Sequence, residues 1–486
     1  ADVTFANGAD IITASAGTSN VRVGVNAGNS IASGGNFNVV VGDEAGTAIT
    51  TGDGLTFVGY AAGSSATTST DSVGIGEHAL DDLTTGVGNI AIGRFAGGDI
   101  TTAAGNVAIG SFDGTKQPAL RVNTTGAANV AVGSGALGAN TTASNNTAVG
   151  YASLAANTTG TRNTAQGAFS LEANTTANDN TSFGYATLAA TTTGAENTAV
   201  GAFSLDANTT GNFNTALGRA SLTANTTASN NTAVGKSALA ANTTGSVNVS
   251  VGTDSLKSNT TGSSNTAIGQ ASLEVNTTAS FNTGVGRNAL ALTTTGHSNT
   301  AVGYNSLVAN TTGAGNTAIG IGALGAETTG ANNVIIGQAG QAQTLTSDTV
   351  AVGDGALQTN TKSAKNTAIG RSALRNLNHT SATDAYNTAL GFNAGLAVTT
   401  GVQNVLIGGE AGDALTDADF NVAMGVSALG SDTLGSRNTA IGHGSLATHN
   451  VSSAANTYNT AVGFHAGVAV TTGTQNTLIG GLSGDA

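Results

Sequence analysis

The residues that could carry chemistry are scattered through a repetitive sequence. Six histidines occur, and only His443 and His449 lie close together in sequence. The chain has no cysteine and no acidic pair beside these histidines, so the usual zinc ligand sets are absent. Serine is abundant, but no Gly-x-Ser-x-Gly nucleophile elbow lies between a predicted strand and a helix. The residues therefore indicate no catalytic centre, and we expect a protein that is not an enzyme.

One acidic group is dense enough to be considered as a cation site. It consists of Glu410, Asp413, Asp417 and Asp419, and carboxylates at this density can bind Ca²⁺. The group lacks the EF-hand spacing and the Gly-Gly-x-Gly-x-Asp repeat of calcium-binding β-rolls. We therefore expect a solvated acidic rim and no cofactor, with Ca²⁺ as the candidate ion if the group binds one.

Two further patterns concern surface recognition. Tyr60, Tyr151, Tyr185 and Tyr304 share one position of the repeat. Exposed rings there could stack on the sugars of a receptor glycan, and packing at a corner of the fold is the alternative. Asn-Thr-Thr, as at Asn157, matches the acceptor pattern for N-glycosylation, but a structural role for the asparagine explains the pattern equally well.

Composition limits the partners and the setting. The net charge is −13 and only 8% of the residues are charged, which disfavours nucleic acid and an anionic membrane surface. No apolar run is long enough to cross a bilayer, so no membrane insertion is expected within this chain. The absence of cysteine is compatible with an extracellular location. A first residue other than Met indicates a processed N-terminus or a partial chain.

All of these residues are set in one repeated unit. Residues 146–162 read NTAVGYASLAANTTGTR, and Asn163 starts the next copy 17 residues after Asn146. Such a period is the signature of a solenoid, in which a coil buries its apolar face only by stacking on its neighbours. The repeat predicts an all-β fold, a parallel β-solenoid of 17-residue coils.

Alternation within Asn-Thr-Ala-Val-Gly predicts the core, because successive strand residues point to opposite faces. We assign the fourth residue of this unit and the later leucine to the interior. The predicted core is Val149, Leu154, Val200, Leu205, Val234, Leu239, Ile268 and Leu273. The alanine row is then a flat face for packing between chains, at Ala148, Ala165, Ala199, Ala216 and Ala233. The opposite phase, with alanine inside and threonine outside, is the alternative.

Asparagine recurs at two corners of the unit. Asn146, Asn163 and Asn180 precede the strand, and Asn157 and Asn174 lie at the opposite corner. Asparagine tolerates turn conformations, and stacked amides can form hydrogen bonds along an axis. The spacing therefore predicts two asparagine ladders.

The repeat register also predicts the organisation of the chain. Residues 1–19 lie outside the register and are predicted to form an N-terminal cap or anchor strand. Residues 20–486 are predicted to form one continuous array. Longer steps in the register predict loop-outs near residues 111–128, 371–386 and 443–458.

The unit Asn-Thr-Ala-Val/Ile-Gly, followed by a small residue and Leu, resembles the head repeats of YadA-like trimeric autotransporter adhesins and related phage tail-fibre repeats. The resemblance covers residues 20–480. It implies a left-handed β-roll, three chains side by side, and an adhesive or spacer role at a cell surface or on a virion appendage. A glycan or protein of a host surface would be the receptor. The repeat is about three residues longer than the usual head repeat, and no stalk heptads or C-terminal barrel anchor are found.

The leading functional hypothesis is a non-catalytic extracellular fibre, structural or adhesive, built as a homotrimer. One alternative is a filament subunit that polymerises end to end. Another, from a different class, is an ice-binding β-solenoid that presents its Thr-Thr column as an ordered array.

Overall fold

The computed structural model describes residues 16–485. Residues 1–15 of the predicted cap lie outside the described part, and residues 16–19 form a bend. The chain divides into two compact units, Ala1–Thr244 and Gly245–Ala486, and each is described by itself. Every regular element of the described residues is a β-strand, which confirms the predicted all-β class.

In the first unit, the described residues form short strands that each pair in parallel with the next one. The strands are β1 (Val21–Val23), β2 (Val39–Val41), β3 (Thr56–Val58), β4 (Val73–Ile75), β5 (Ile90–Ile92), β6 (Val107–Ile109), β7 (Val130–Val132), β8 (Thr147–Val149), β9 (Thr164–Gln166), β10 (Thr181–Phe183), β11 (Thr198–Val200), β12 (Thr215–Leu217) and β13 (Thr232–Val234).

The second unit has the same parallel organisation. Its strands are β14 (Val249–Val251), β15 (Thr266–Ile268), β16 (Thr283–Val285), β17 (Thr300–Val302), β18 (Thr317–Ile319), β19 (Val334–Ile336), β20 (Val350–Val352), β21 (Ser363–Ala364), β22 (Thr367–Ile369), β23 (Thr383–Asp384), β24 (Thr388–Leu390), β25 (Val405–Ile407), β26 (Val422–Met424), β27 (Gly435–Ser436), β28 (Thr439–Ile441), β29 (Ala455–Asn456), β30 (Thr460–Val462) and β31 (Thr477–Ile479). The pairs β21–β23 and β27–β29 form two small separate sheets.

Strand pairing places equivalent positions of the repeat on top of one another. Thr147 pairs with Thr164, and Ala148 pairs with Ala165. Each coil therefore advances the chain by one strand, or roughly 4.8 Å. Both units are parallel β-solenoids with coils of about 17 residues, as the period predicts.

The leucine row forms one wall of the core, as predicted. Leu154, Leu205, Leu239 and Leu273 have no exposed surface. The predicted phase of the strands, however, is wrong. The alanines assigned to an inter-chain face are fully buried inside the coil, at Ala148, Ala165, Ala199, Ala216 and Ala233. The strand residues assigned to the core lie outside, half-exposed at Val149 and Val234 and exposed at Val200 and Ile268.

The narrow interior explains this phase. Gly284 takes the alanine position in β16, and a Cβ added there would lie 2.5 Å from Ser272 Oγ and 3.6 Å from Leu273 Cγ. The strand thus faces the leucine wall so closely that a small residue fits best. Alternation alone is compatible with either phase, because a shift of one residue exchanges the two faces of a strand. Side-chain volume decides between them.

Coils that lack the leucine fill the same space from other positions. Gly63 replaces the leucine in one coil, and a Cβ there would lie 2.5 Å from the buried ring of Phe57. Gly412 does so in another coil, where a Cβ would lie 2.8 Å from both Leu406 Cδ2 and Leu415 Cδ1. The volume of the core is therefore maintained even where the leucine is missing, as close packing requires.

The corners of the coil use left-handed backbone conformations. Leu222 has φ of 51° and Leu273 has φ of 52°, a region that costs an L-residue roughly 1–2 kcal/mol. Burial of the leucine side chain offsets that cost. Gly150 ends the Asn-Thr-Ala-Val-Gly segment, and we call it and its equivalents the register glycines. Its φ is 138°, and an added Cβ would lie 2.6 Å from the carbonyl of Gly167. Glycine is required there because successive backbones approach so closely.

Both predicted asparagine ladders are present. In the first ladder, the backbone N–H of Asn163 donates to Asn146 Oδ1 at 2.9 Å, and that of Asn180 donates to Asn163 Oδ1 at 3.0 Å. In the second ladder, Asn174 Nδ2 donates to Asn157 Oδ1 at 2.8 Å. All of these side chains are fully buried. The ladders therefore satisfy buried polar groups from coil to coil.

The three predicted loop-out segments, where successive repeats are more than 17 residues apart, have different structures. Residues 110–118 contain no strand, and the chain rejoins the coil at residue 119, so the predicted loop-out near 111–128 is confined to its first part. The segments near 371–386 and 443–458 each include a short strand, β23 and β29 respectively. Each of these two insertions thus contains a short piece of regular secondary structure.

Candidate functional site

The acidic group proposed as a cation candidate is used mainly within the fold. Asp419 Oδ1 accepts a hydrogen bond from the backbone N–H of Val402 at 2.8 Å, and Asp417 accepts one from the hydroxyl of Thr400. Burial raises the pKa of Asp413, and the nearby charge of Glu410 adds a smaller contribution. Within residues 16–485, no three or more His, Asp or Glu side chains are grouped to hold a metal ion.

The two histidines that are close in sequence have different roles. His449 is fully buried, with Nδ1 2.8 Å from Asp432 Oδ2 and Nε2 3.1 Å from Asn459 Nδ2. Because the amide nitrogen of Asn459 can only donate, Nε2 accepts and Nδ1–H donates to Asp432. His443 instead stacks on His465, with 5.2 Å between the ring centroids. The structure therefore shows a buried His–Asp contact and a separate aromatic stack.

A second buried carboxylate replaces asparagine in the second ladder. Glu327 is fully buried. Its Oε1 accepts hydrogen bonds from the backbone N–H groups of Thr328, Thr329 and Gly330 at 3.0, 3.2 and 2.7 Å. Its Oε2 accepts from the backbone N–H and the hydroxyl of Thr346 at 3.0 and 2.9 Å. These bonds occupy the lone pairs of the carboxylate and explain its burial without a ligand.

The surface with the most unusual composition is the outward side of the three-residue strands, which we call the outer sheet face. It consists of the first and third residues of each of these strands. In the described strands of both units these positions hold Thr, Val, Ile, Leu, Met or Phe, and one amide at Gln166. None of them is charged. The apolar members are partly or largely exposed, for example Val200 at 37% and Ile268 at 41%.

Aromatic rings form a second surface in the first unit, at the corner that follows the strands. Tyr151, Phe169, Tyr185 and Phe203 come from four consecutive coils, and we call them the aromatic edge. Successive ring centroids are 5.4, 5.8 and 5.4 Å apart, with near-perpendicular ring planes. Of the four tyrosines that share this position of the repeat, the structure places Tyr151 and Tyr185 in the edge. Tyr60 belongs to a second ring series with His78, 5.3 Å away.

The loop of residues 111–117 lies beside the aromatic edge. Lys116 Nζ forms an ion pair with Glu172 Oε1 at 2.8 Å, and the Thr115 hydroxyl lies 3.2 Å from Tyr151 Oη. Asp113 Oδ1 accepts from the backbone N–H groups of Lys116 and Thr115. These hydrogen bonds hold the pKa of the Asp113 carboxyl well below its usual range. The loop is thus held by contacts to later coils and by hydrogen bonds within the loop itself.

Small residues allow the loop to pack on the following coils. Gly135 and Gly138 are buried beneath it, and a Cβ on either would lie 3.1 Å from the Cβ of Lys116 or Gln117 respectively. A cleft of about 440 Å³ remains between the loop and the coils, and its floor includes Ala139, Ala155 and Ala156. The insertion therefore creates a concave surface at the end of the aromatic edge.

The Asn-Thr-Thr segments are organised for packing. The asparagine of this pattern is fully buried at Asn157 and Asn242, so neither side chain can accept a glycan in the folded chain. Thr158 Oγ1 donates to the carbonyl of Thr175 at 3.1 Å, and Thr159 is exposed. In this coil the Thr-Thr segment thus presents one hydrogen-bonded hydroxyl and one exposed residue.

Comparison with known proteins gives no family assignment. No family model matches the chain, and no curated protein is significantly similar in sequence. Among residues 16–485, no helix is long and apolar enough to cross a membrane. The outer sheet face, the aromatic edge and the repeat unit itself are therefore the features of the chain that bear on its function.

Several residues of the aromatic edge and of the second asparagine ladder are not predicted by the sequence analysis. Phe169 and Phe203 lie one position later in the repeat than Tyr151 and Tyr185, so a search at one fixed position finds only the tyrosines. The buried Glu327 and His449 were not recognised as members of the second asparagine ladder. Aligning every coil from its register glycine, and comparing the columns, would have revealed both.

Proposed function

We propose that the chain is a non-catalytic structural protein, an extracellular fibre of adhesive or spacer type in which identical chains pack side by side. The uncharged outer sheet face carries the proposal. Three copies are the expected number, by the resemblance to trimeric head repeats, and the setting is a cell surface or a virion appendage by the same resemblance.

Charge is distributed unevenly over the coil. A solvated antiparallel or solenoid strand face normally includes polar and charged residues, since nothing else covers it. Here charged residues such as Arg162 and Asp179 lie outside the strands, whereas the outer sheet face has none in the described strands. Contiguous exposed apolar surface of this kind typically marks an interaction site.

The face also has the shape that sheet packing requires. Equivalent residues are in register along each unit, as for Val302 and Ile319, so the side chains form straight columns. Two such faces can pack at the usual separation of about 10 Å between sheets. Burial of the exposed β-branched side chains would then stabilise the assembly by roughly 25 cal/mol for each Å² of apolar surface removed from water.

Sedimentation velocity over a range of concentrations tests this proposal. We expect the full chain to sediment as a defined multiple of its 46.7 kDa mass, and the double variant Val200→Glu/Ile268→Glu to sediment as a monomer, because charges would be buried at the contact. The control is Thr159→Glu/Thr278→Glu, which adds the same two charges at exposed residues away from the face.

The possible outcomes separate the alternatives. A defined trimer that the double variant dissociates supports side-by-side assembly. Open-ended fibres in electron micrographs, unaffected by the double variant, would support end-to-end polymerisation instead. A wild-type chain that stays monomeric at all concentrations would contradict both.

One observation favours a second candidate function. The sequence indicates the Thr-Thr column for an ice-binding role, but a more regular column lies in the strands. Thr147, Thr164 and Thr181 stack in register on the outer sheet face, which gives hydroxyl and methyl groups at the strand spacing. An ice-binding solenoid presents such an array. The test is thermal hysteresis of the monomeric chain, and its absence at millimolar concentration would remove this candidate.

A further inference from the structure

The fold of the coil does not require aromatic rings at the positions of the aromatic edge. The usual residues at its positions in other coils are small or polar, for example Arg219 and Ser237 in two later coils of the same unit. The rings are also incompletely buried, with Tyr185 at 50% and Phe203 at 38% exposed. Edge-to-face contacts stabilise such rings by about 0.5–1.5 kcal/mol per pair, but they leave a row of apolar ring surface facing water.

The spacing of the rings matches an elongated ligand. Tyr151 and Tyr185 are two coils apart, and two strand spacings amount to roughly 10 Å. An extended β-1,4-linked chain of hexoses repeats its orientation every second sugar over a comparable distance. The apolar C–H faces of such sugars can therefore meet tyrosine rings at every second coil.

Polar groups are available beside the rings. The hydroxyl of Tyr151 lies next to Thr115 in the loop, and Thr115 and Gln117 line the 440 Å³ cleft at the end of the edge. Binding sites for small ligands typically combine aromatic surface with a few polar groups that fix orientation. Sugars need both kinds of contact, because they have hydroxyl rims around apolar faces.

The charges near the edge favour a neutral ligand. Lys116 is paired with Glu172 at 2.8 Å, so its charge is compensated within the protein. Asp206 lies on the same side of the coil as Glu172, five residues after its register glycine, and Thr223 donates to it at 2.6 Å. Arg219 occupies the tyrosine position in the coil that follows the aromatic edge, so charges of both signs border the edge. A charged polysaccharide would meet groups of its own sign, whereas a neutral one would not be repelled.

We propose that the aromatic edge and the adjoining cleft bind a neutral, extended β-1,4-linked polysaccharide, with its sugars stacked on Tyr151 and Tyr185 and its end held beside the loop of residues 111–117. The proposal rests on the adhesive role proposed above and specifies its ligand class. It does not depend on the number of chains in the assembly.

Titration calorimetry with cellohexaose and chitohexaose, on the full chain, tests the proposal, and maltohexaose serves as the α-linked comparison. The chain has no tryptophan and six tyrosines, so tyrosine fluorescence gives a second readout. The variants are Tyr185→Ala, Tyr185→Phe and the control Tyr304→Ala. Tyr304 has the same position in its coil and similar exposure, but it contacts Arg287 at 5.9 Å rather than a row of rings.

We expect at least one β-linked hexasaccharide to bind, and Tyr185→Ala to weaken binding about tenfold, the equivalent of one aromatic contact. Tyr185→Phe keeps the ring and should retain affinity, and Tyr304→Ala should have no effect. Thermal unfolding of each variant establishes that it is folded. No binding by the wild type, equal losses for Tyr185→Ala and Tyr304→Ala, or equally tight binding of maltohexaose would overturn the proposal.

Titration of the same saccharides into Val200→Glu/Ile268→Glu tests saccharide binding independently of the assembly of chains. That variant keeps every ring of the edge, so saccharide binding by dissociated chains would support the edge while assembly is lost. Normal assembly without saccharide binding would refute the edge alone.

Discussion

Replacing Thr191 by asparagine should stabilise the first unit, because it repairs a gap in the second ladder. Thr191 stands where neighbouring coils have Asn174 and Asn208. The shorter threonine side chain does not replace the amide donor, because Asn174 Oδ1 is buried without a hydrogen-bond partner. On the other side, Asn208 Nδ2 reaches Thr191 Oγ1 only at 3.5 Å.

The expected gain follows from the ladder geometry. In intact coils the corresponding amide bond is short, 2.8 Å between Asn174 Nδ2 and Asn157 Oδ1. A buried acceptor without a partner costs about 1–3 kcal/mol, and a new neutral hydrogen bond contributes about 0.5–1.5 kcal/mol. The larger side chain must also lose rotamer freedom. We therefore expect Thr191→Asn to raise the free energy of unfolding by about 1–2 kcal/mol.

Thermal unfolding followed by circular dichroism measures this gain. A cooperative unit of 150–250 residues shifts its midpoint by about 2–4 °C for each kcal/mol. The reciprocal variant, Asn157→Thr, creates the same gap in an intact coil and should lower the midpoint by a similar amount. Thr192→Asn changes the adjacent residue outside the ladder and controls for the substitution itself.

The second unit offers an independent copy of the test. Thr293 stands in the same ladder position, and Asn276 Oδ1 is likewise buried without a partner. Thr293→Asn should therefore stabilise as Thr191→Asn does, and the two gains should add because the sites are distant. If both variants left the midpoint unchanged while Asn157→Thr did not lower it, ladder bonds would contribute little to stability.

Five further variants test the interior of the coil and the outer sheet face. Leu222→Ala should cost about 2–5 kcal/mol for lost burial, and Leu222→Gly should be no less stable than the alanine variant, since glycine avoids the roughly 1–2 kcal/mol cost of a positive φ; denaturant titration compares the two. Ala216→Asp should prevent folding or lower the unfolding midpoint sharply, whereas Leu217→Asp, on the outer sheet face, should leave a folded monomer; equal effects in circular dichroism would contradict the corrected phase. Glu327→Gln should lose about 1–3 kcal/mol in thermal unfolding, because an amide N–H₂ would face the donors of Thr346; an unchanged midpoint would mean that another rotamer satisfies the site.

The parts of the fold that depend only on the period could be predicted from the sequence. The spacing of Asn146 and Asn163 gave the coil length and the position of the first ladder, because identical residues one period apart must stack in a solenoid. The leucine row was equally clear, since Leu154 and its equivalents are the largest apolar residues that recur in most coils. Both predictions hold in the structure.

The phase of the strands could not be obtained from alternation. Ala148 and Val149 are both apolar, and hydrophobicity alone favours burial of the larger residue. The deciding quantity is the width of the coil, which depends on how closely the leucine wall approaches the strand. Charged residues are the usual sequence signal of an exposed strand face. The outer sheet face has none, so its exposure could not be recognised from charge either.

The aromatic edge depends on information that no single coil contains. Tyr151 and Phe169 occupy different positions of their coils, yet their rings meet because the two corner positions project to the same side. The cleft beside them needs an insertion that folds back over later coils, with Lys116 reaching Glu172. Contacts between residues so far apart in sequence depend on the path of the loop, which the 17-residue period does not predict.

In the strands of this coil, the inward and outward faces have exchanged their usual residues. Buried amides at Asn146 and Asn157 join successive coils through hydrogen bonds, and the interior strand position is filled by alanine, which has little apolar surface to bury. The larger apolar residues of the strands, such as Val200, lie outside, while the leucine row stays buried. Hydrogen-bonded ladders therefore specify the stacking of the coils, and the β-branched strand residues remain available for contact with other chains. That division is physically reasonable for a fibre, because a coil held together by its ladders can present an apolar face to a partner without using that face to fold.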